Sequence, residues 1–355
     1  MNRVLLVAVA MTVMASLSLR DAAADDTIKV GWCARTVSSA VAPFAIATKL
    51  GWYRQSGIKV ELVPLPGSTE CVKQLARGEV VFALATVDPL AIIHPQGVKG
   101  KIFYTAYQSN IDGIAVPKES SIRSVADLKG KKIGVSSMSA NGVIEARAIA
   151  ATNGMNPDTD ITIVVVGEGA QTAALVRSKQ VDALSQYDTQ YALVENAGVK
   201  LRMLPTGEIE HFPANGLMAL DETLRNRRQE AVALAEGYAK GTIFAIANPE
   251  AAVRIVWDVY PQTKPTGKDE ATALADDVKV LQARVVNWKL DKAGVRKWGE
   301  SSEANYAALA DFLLKWKVIP ERVDVKDIVT NEIIGEINRF DPAAIEAQAR
   351  AYKFK

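Results

Sequence analysis

VPLPGSTECVKQLARGEVVFALA, residues 63–85, and IVVVGEGAQTAALVRSKQVDALS, residues 163–185, match when one is set above the other. Gly67 falls on Gly167, Leu75 on Leu175, Arg77 on Arg177, and Val81, Ala83 and Leu84 on Val181, Ala183 and Leu184. Each stretch is an apolar run, a glycine turn, a segment with apolar residues at helical spacing, a polar break and a second apolar run. Strand–helix–strand units of this kind build parallel sheets, because parallel neighbours need a long crossover. Whether the two copies arose by duplication or convergence, each places a glycine turn and a helix start at the carboxyl edge of a sheet.

The same alternation extends outward from both copies. Strands are expected at residues 28–32, 58–65, 80–85, 102–107, 113–116, 132–136, 161–166, 181–186, 201–204 and 216–220. Many are continuous apolar runs, as strands covered on both faces should be. Helices are expected at residues 40–55, 69–77, 141–153, 171–179 and 189–196. From Asp221 onward the pattern is almost wholly helical, with Pro249 at a first helical position and Trp257, Trp288, Trp298 and Trp316 as packing anchors. The chain has 355 residues, 49% of them hydrophobic, enough for two cores.

Residues 1–24 stand apart. Arg3 is followed by an apolar run from Val4 to Leu19, and Ala22 and Ala24 occupy the small positions of a cleavage site. This reads as a secretory signal peptide cut after Ala24, which places the mature protein outside the cytoplasm. No later segment is long and apolar enough to insert in a membrane. Cleavage would remove two basic residues and one acidic residue, leaving 40 and 39. That balance, without basic runs interleaved with aromatics, argues against nucleic acid as a partner. Cys33 and Cys71 are the only cysteines, so in an oxidising compartment they form either one disulfide or two buried thiols.

Candidate chemistry gathers at the sheet edges, where open α/β folds bind ligands. Gly67 turns the chain and Ser68 is expected to cap the next helix; Ser136, Ser137, Ser139 and Asn141 open another, and Gly167–Thr172 a third. Three helix amino-termini with small polar side chains form a seat for an anionic group. GEGAQT starts like a dinucleotide fingerprint but carries Thr172 at the third glycine position, and it lies far from the chain start. His94 and His211 lack metal-ligand spacing, and no activated serine or cysteine motif is visible. No catalytic residue, metal site or cofactor is therefore expected.

IKVGW, GWYRQSGIKVELV, LARGEVVFALA, SVADLKGKKIGV (residues 124–135) and QVDALSQYDTQYALV together resemble the periplasmic solute-binding proteins of nitrate, sulfonate and taurine ABC importers, a family related to thiamine-pyrimidine precursor binders. The resemblance is clear over residues 27–220 and general beyond. It implies an α/β fold of two lobes of the type II periplasmic binding class, with parallel-sheet lobes, two hinge crossings and a helical C-terminal region. The implied division is residues 25–114 and 215–355 for the first lobe and 115–214 for the second, with crossings near 113–116 and 214–220. The ligand would be a small organic anion or zwitterion clamped between lobes. The partners implied are a cognate ABC permease with its cytoplasmic ATPase, and the protein is expected to be monomeric and periplasmic.

The same resemblance implies a ligand shell. From the first lobe it draws Cys33, Arg35, Thr36, Gly67, Ser68, Thr69, Thr86, Asp88, Gln108 and Asn110. From the second come Ser137, Ser139, Asn141, Glu168, Tyr187 and Asp188, with Phe212 and Asn215 near the return crossing. Arg35 is the expected grip on an anionic group, with a solvent-facing arginine as the alternative. Tyr187 and Phe212 are expected to sandwich a flat ring. Asp88, Glu168 and Asp188 would repel a plain anion unless paired, which keeps zwitterions and amine-bearing heterocycles in play. Tyr187-Asp188-Thr189 stands where taurine-type members carry an aromatic and Ala-Pro, and the cysteine- and histidine-rich motif of the related pyrimidine synthase is missing. Because the strands preceding Cys33 and Cys71 would be neighbours, a Cys33–Cys71 disulfide is expected. The rival functions are an enzyme on the same fold and a ligand-sensing module for a receptor.

Overall fold

Ten strands form where the apolar runs lie. In the computed structural model, which describes residues 26–354, they are β1 (Asp26–Trp32), β2 (Ile58–Pro64), β3 (Phe82–Ala85), β4 (Gly100–Thr105), β5 (Asp112–Pro117), β6 (Lys131–Val135), β7 (Ile161–Val165), β8 (Ala183–Tyr187), β9 (Leu201–Leu204) and β10 (Gly216–Leu220). The expected signal segment and its cleavage after Ala24 lie outside the described residues. The helix expected over 40–55 is two pieces, Ala42–Lys49 and Trp52–Gln55. Gly51 separates them at φ +75, a left-handed conformation that stops the first helix and that a glycine adopts without strain.

The strands make two five-stranded sheets with the same plan, β2-β1-β3-β10-β4 and β7-β6-β8-β5-β9. The two matched stretches occupy equivalent places. Each crosses from an edge strand (β2 or β7) over its parallel neighbour to the central strand (β3 or β8). The sheets are mixed rather than purely parallel, because β10 runs antiparallel to β3 and β4, and β5 antiparallel to β8 and β9. Connectivity explains this. The chain leaves each sheet at the carboxyl ends of its parallel strands and enters the other at the facing edge, so the first strand after each passage runs back the opposite way.

Residues 113–116 and 216–220 are thus paired strands, and the chain passes between sheets in segments 106–111 and 205–215. A division at 114/115 would fall inside β5. One apolar cluster joins β1, β3 and β4 to the Ala42–Lys49, Arg228–Ala247 and Pro249–Val259 helices, with Trp288 and Trp257 buried in it. A second cluster runs from the opposite face of the first sheet, past the Glu303–Lys315 helix, to Ile114, Ile133 and Ile149 of the second-sheet half. A third fills the remaining face of the second sheet. The helical region after Asp221 therefore braces the first sheet and reaches across to the second. Among the described residues no helix is long and apolar enough to cross a membrane.

Cys33 and Cys71 are joined, with Cα atoms 5.8 Å apart. The bond ties the loop after β1 to the first turns of the Ser68–Ala76 helix.

Candidate functional site: the cleft between the two sheets

The carboxyl ends of both sets of parallel strands face one another, and a cavity lies between them. Trp32 closes β1 and enters it with Cys33 and Ala34, followed by Thr86 after β3, Tyr107 after β4, Ser136 after β6 and Tyr187 at the end of β8. The antiparallel strands contribute from their amino ends, Asp112 on β5 and Asn215 just before β10. Ser68 and Asn141 are the first residues of the Ser68–Ala76 and Asn141–Thr152 helices, so two helix amino-termini point into the same space.

Polar bonds run across the cleft. Thr86 Oγ1 donates to Asn141 Oδ1 at 3.3 Å, and on the second-sheet side Asn141 Nδ2 donates onward to Asp112 Oδ2 at 3.1 Å. The Thr69 amide donates to Ser139 O at 3.2 Å, and Ser137 Oγ donates to Pro66 O. The Arg35 and Thr36 amides donate to Glu168 at 3.3 and 2.8 Å. Asn196 Nδ2 donates to Asp276 O, and Lys279 pairs with Glu195 at 3.2 Å. The two halves stand closed on each other.

The deepest of these ties is ionic. Arg284, on the Glu270–Val285 helix and only 2% exposed, grips Asp188 through Nε (3.1 and 2.8 Å) and Nη2 (2.6 Å). Asn287 Nδ2 donates to the same carboxylate at 2.9 Å. The guanidinium lies 4.0 Å from the centre of the Tyr107 ring, within cation–π range. Burial opposes its charge, but Asp188 more than offsets that, and Arg284 stays firmly cationic. Arg284 and Asp112 are the charged residues lining the cavity, and Arg284 is already neutralised by Asp188. Burial pushes the Asp112 carboxyl up to about 7, against the bond from Asn141 and with help from Asp88 and Asp188. Asn215 Oδ1 is buried without a partner while its Nδ2 donates to Leu84 O at 3.0 Å. The free polar positions of the cleft therefore lean toward hydrogen-bond acceptors.

A second, smaller adjoining cavity shares Thr86 and Asn141 with the first. Asp88, Asn110 and Glu145 supply its other polar groups, and Phe212, Ala148, Leu309 and Phe312 are among its apolar walls.

The residues expected as a ligand shell divide accordingly. Cys33, Ser68, Thr86, Asn141, Tyr187 and Asn215 line the first cavity, and Asp88, Asn110 and Phe212 line the second. Tyr187 and Phe212 stand in different cavities and do not form the expected sandwich; Phe212 instead packs edge-on against Phe312 at 5.3 Å. Gly67, Thr69, Ser137, Ser139, Glu168 and the Arg35–Thr36 amides serve lobe-to-lobe bonds or close approaches. Arg35 is exposed, so its loop uses the main chain rather than the guanidinium. Gln108 is buried and donates to Thr105 O and Glu300 O, outside both cavities. Ser68 does not cap its helix; Gly67 holds that place, and the Ser68 hydroxyl accepts from the Thr86 amide at 3.2 Å. Asp188 is occupied by Arg284.

Trp32, Tyr107, Asp112, Glu145 and Arg284 were not anticipated. Trp32 and Tyr107 carry a legible signal, since each closes or follows a strand at the binding edge. Asp112, beside a passage between sheets, carries a weaker one. Glu145 and Arg284 sit inside helices and look like ordinary helical charges.

The description NMT1/THI5 like belongs to the family whose model matches residues 38–252. Among curated proteins, the riboflavin-binding protein RibY of Chloroflexus aurantiacus is 23% identical over 297 residues, spanning 82% of each chain. A putative aliphatic sulfonates-binding protein of Bacillus subtilis is 24% identical over 307 residues, 84% of this chain and 85% of that one. Among solved structures, the alkanesulfonate-binding protein SsuA of Xanthomonas axonopodis pv. citri, bound to MOPS, superposes with TM-score 0.64 at 19% identity, covering 87% of this chain and 99% of that one. The desulfurization enzyme DSZB shares the fold more distantly, with TM-score 0.54 at 15% identity over 88% and 98% of the two chains.

Proposed function

Because the chain belongs to the NMT1/THI5-like family, we propose that it is the periplasmic solute-binding component of an ABC importer. It captures one small organic solute between its two lobes and presents the closed form to a membrane permease driven by a cytoplasmic ATPase. The observation that carries this reading is the cleft itself. Both sheets aim their carboxyl ends and a helix amino-terminus at one cavity, and hydrogen bonds from both sides close it. Such a site works by desolvation and closure, with the bound solute shifting the balance toward the closed form. The lobes correspond to the two sheets, with the C-terminal helices belonging to the first.

The chemistry of the lining favours a zwitterion or an amine-bearing ring over a plain anion. Arg284 is spent on Asp188, while Asp112 and Asn215 Oδ1 ask for donors. An anionic end would lie against Ser68, Ser136 and the two helix starts. Trp32, Tyr107 and Tyr187 offer faces to a flat group. The enzyme reading has less support at the site: Cys33, the sulfur lining the cavity, is bonded to Cys71.

A thermal-shift screen of sulfonates, aromatic carboxylates, nitrate, flavins, pyrimidines and amino zwitterions tests the proposal, followed by mass spectrometry of the recovered solute. A solute that raises the melting temperature and is recovered intact supports capture. Chemical conversion of that solute, or no response to any class, refutes it.

A further inference from the structure

The second cavity holds an arrangement that a solute-binding cleft does not need for closure alone. Asp88 approaches from the first-sheet half and Glu145 from the second, 6% and 8% exposed, and neither takes part in an ion pair. Glu145 Oε1 accepts from Asn110 Nδ2 at 2.9 Å, but Glu145 Oε2 is buried with no partner at all. No lysine, arginine or histidine lines this cavity. Burying two carboxyl groups and leaving an acceptor unmatched is costly unless a donor arrives to meet them.

We propose that this cavity is a subsite for a primary ammonium group on the captured solute, held between Asp88 and Glu145 as the lobes close. The proposal rests on the solute-capture reading and names the end of the solute that enters deepest. An ammonium group brings three donors, matching Glu145 Oε2, the Asp88 carboxylate and the Thr86 hydroxyl that borders both cavities. A bare metal ion fits less well, since among the described residues no three His, Cys, Asp or Glu side chains are grouped to hold one. The two cavities meet at Thr86 and Asn141, so a solute seated in the main cleft reaches the carboxylates past that bonded pair. The carboxylates come from opposite lobes, so the ammonium group would bridge them and reward closure directly.

Protonation supplies a distinctive readout. Burial raises Glu145, further helped by Asp112 and Asp88, and raises Asp88 to about 6. Tyr191 and Tyr306 face the cluster as neutral groups, and the Arg284–Asp188 pair lies beyond Asp112. An ammonium group entering the cavity therefore displaces protons held by these carboxyls.

The test uses the full mature protein and ethylammonium chloride as probe, with tetramethylammonium chloride and sodium chloride at equal ionic strength as controls. The expected result is a melting-temperature rise with ethylammonium alone, and proton release on titration calorimetry in buffers of differing ionisation enthalpy. Glu145→Gln and Asp88→Asn should each weaken ethylammonium binding by roughly tenfold to a hundredfold, the loss of a hydrogen bond to a charged group, and reduce the released protons. The two variants guard against a fold-specific failure of either one. Equal shifts from all three salts, or unchanged binding in both variants, overturn the subsite. If amine-free solutes from the wider screen bind while ethylammonium does not, the subsite falls and the capture reading stands; if nothing binds, both fall.

Discussion

Gly67→Ala should hold the two lobes apart. Gly67 has φ +140 and ψ 174, a region open essentially to glycine, and a Cβ placed there would stand 2.3 Å from Ser139 O and 2.6 Å from the Ala140 nitrogen. Ordinary contact needs about 3.4 Å, so the facing backbone must retreat by about 1 Å. That retreat carries the Thr69–Ser139 bond, now 3.2 Å, out of range and loosens the bond from Ser137 to Pro66. Two such bonds contribute about 1–3 kcal/mol together, so the closed-to-open ratio should drop roughly 5- to 150-fold. Backbone strain at Gly67 also lowers fold stability, but in both open and closed forms alike. Gly78→Ala serves as the control, because Gly78 has φ +72 and nothing within 4 Å. Hydrogen exchange at the Thr69 amide and small-angle scattering together read the outcome. The expected result is lost protection at Thr69 and a longer maximum dimension in Gly67→Ala but not in Gly78→Ala. Unchanged protection and dimensions would refute the idea that this glycine exists for lobe contact.

Three further outcomes follow from the same contacts. Asp188→Asn strips the buried Arg284 of its counter-charge and should cost about 3–5 kcal/mol in urea unfolding, whereas the double change Asp188→Leu with Arg284→Met should cost far less; equal costs would show that the ion pair is not what matters. Asp88, Asp112 and Asp277 hold protons up to about 6, about 7 and about 6, well above where the unfolded chain releases them. Their stabilising share is complete below about pH 4 and lost as pH rises through those values, so stability should fall by on the order of 5 kcal/mol between about pH 5 and about pH 8. Asp112→Asn should flatten that slope, and a wild-type profile that rises over the interval would count against it. Cys33→Ser removes a cross-link between residues 38 positions apart and in urea unfolding should lower stability by about 4 kcal/mol relative to the oxidised wild type on the loop-entropy account, while matching the reduced wild type.

The mutual similarity of residues 63–85 and 163–185 made much of the architecture legible. Backbone bonding and side-chain periodicity are local properties, so the apolar runs mark all ten strands to within a few residues. Cys33 and Cys71 follow neighbouring strands, β1 and β2 being paired along their length, and they are bonded. Local reading failed where direction depended on the other lobe: β5 and β10 are apolar runs like the rest, and only the passage of the chain makes them antiparallel.

The site divides the same way. Strand ends and helix starts are legible in the chain, and Cys33, Ser68, Thr86, Asn141, Tyr187 and Asn215, named through the family resemblance, line the cleft. What those ends meet depends on how the two halves pack. Arg284 lies 96 positions from Asp188 inside a helix of mixed charge, and nothing in its surroundings in the chain distinguishes it from Lys279 or from exposed Arg35. A charge acquires its role from the dielectric around it and from the opposite charge within reach, and both are set by how two lobes close. For the same reason the acidic residues of the cleft could be named as a difficulty for plain anions, but not divided into a paired Asp188 and an unpaired Asp88 and Glu145 until the lobes were seen together.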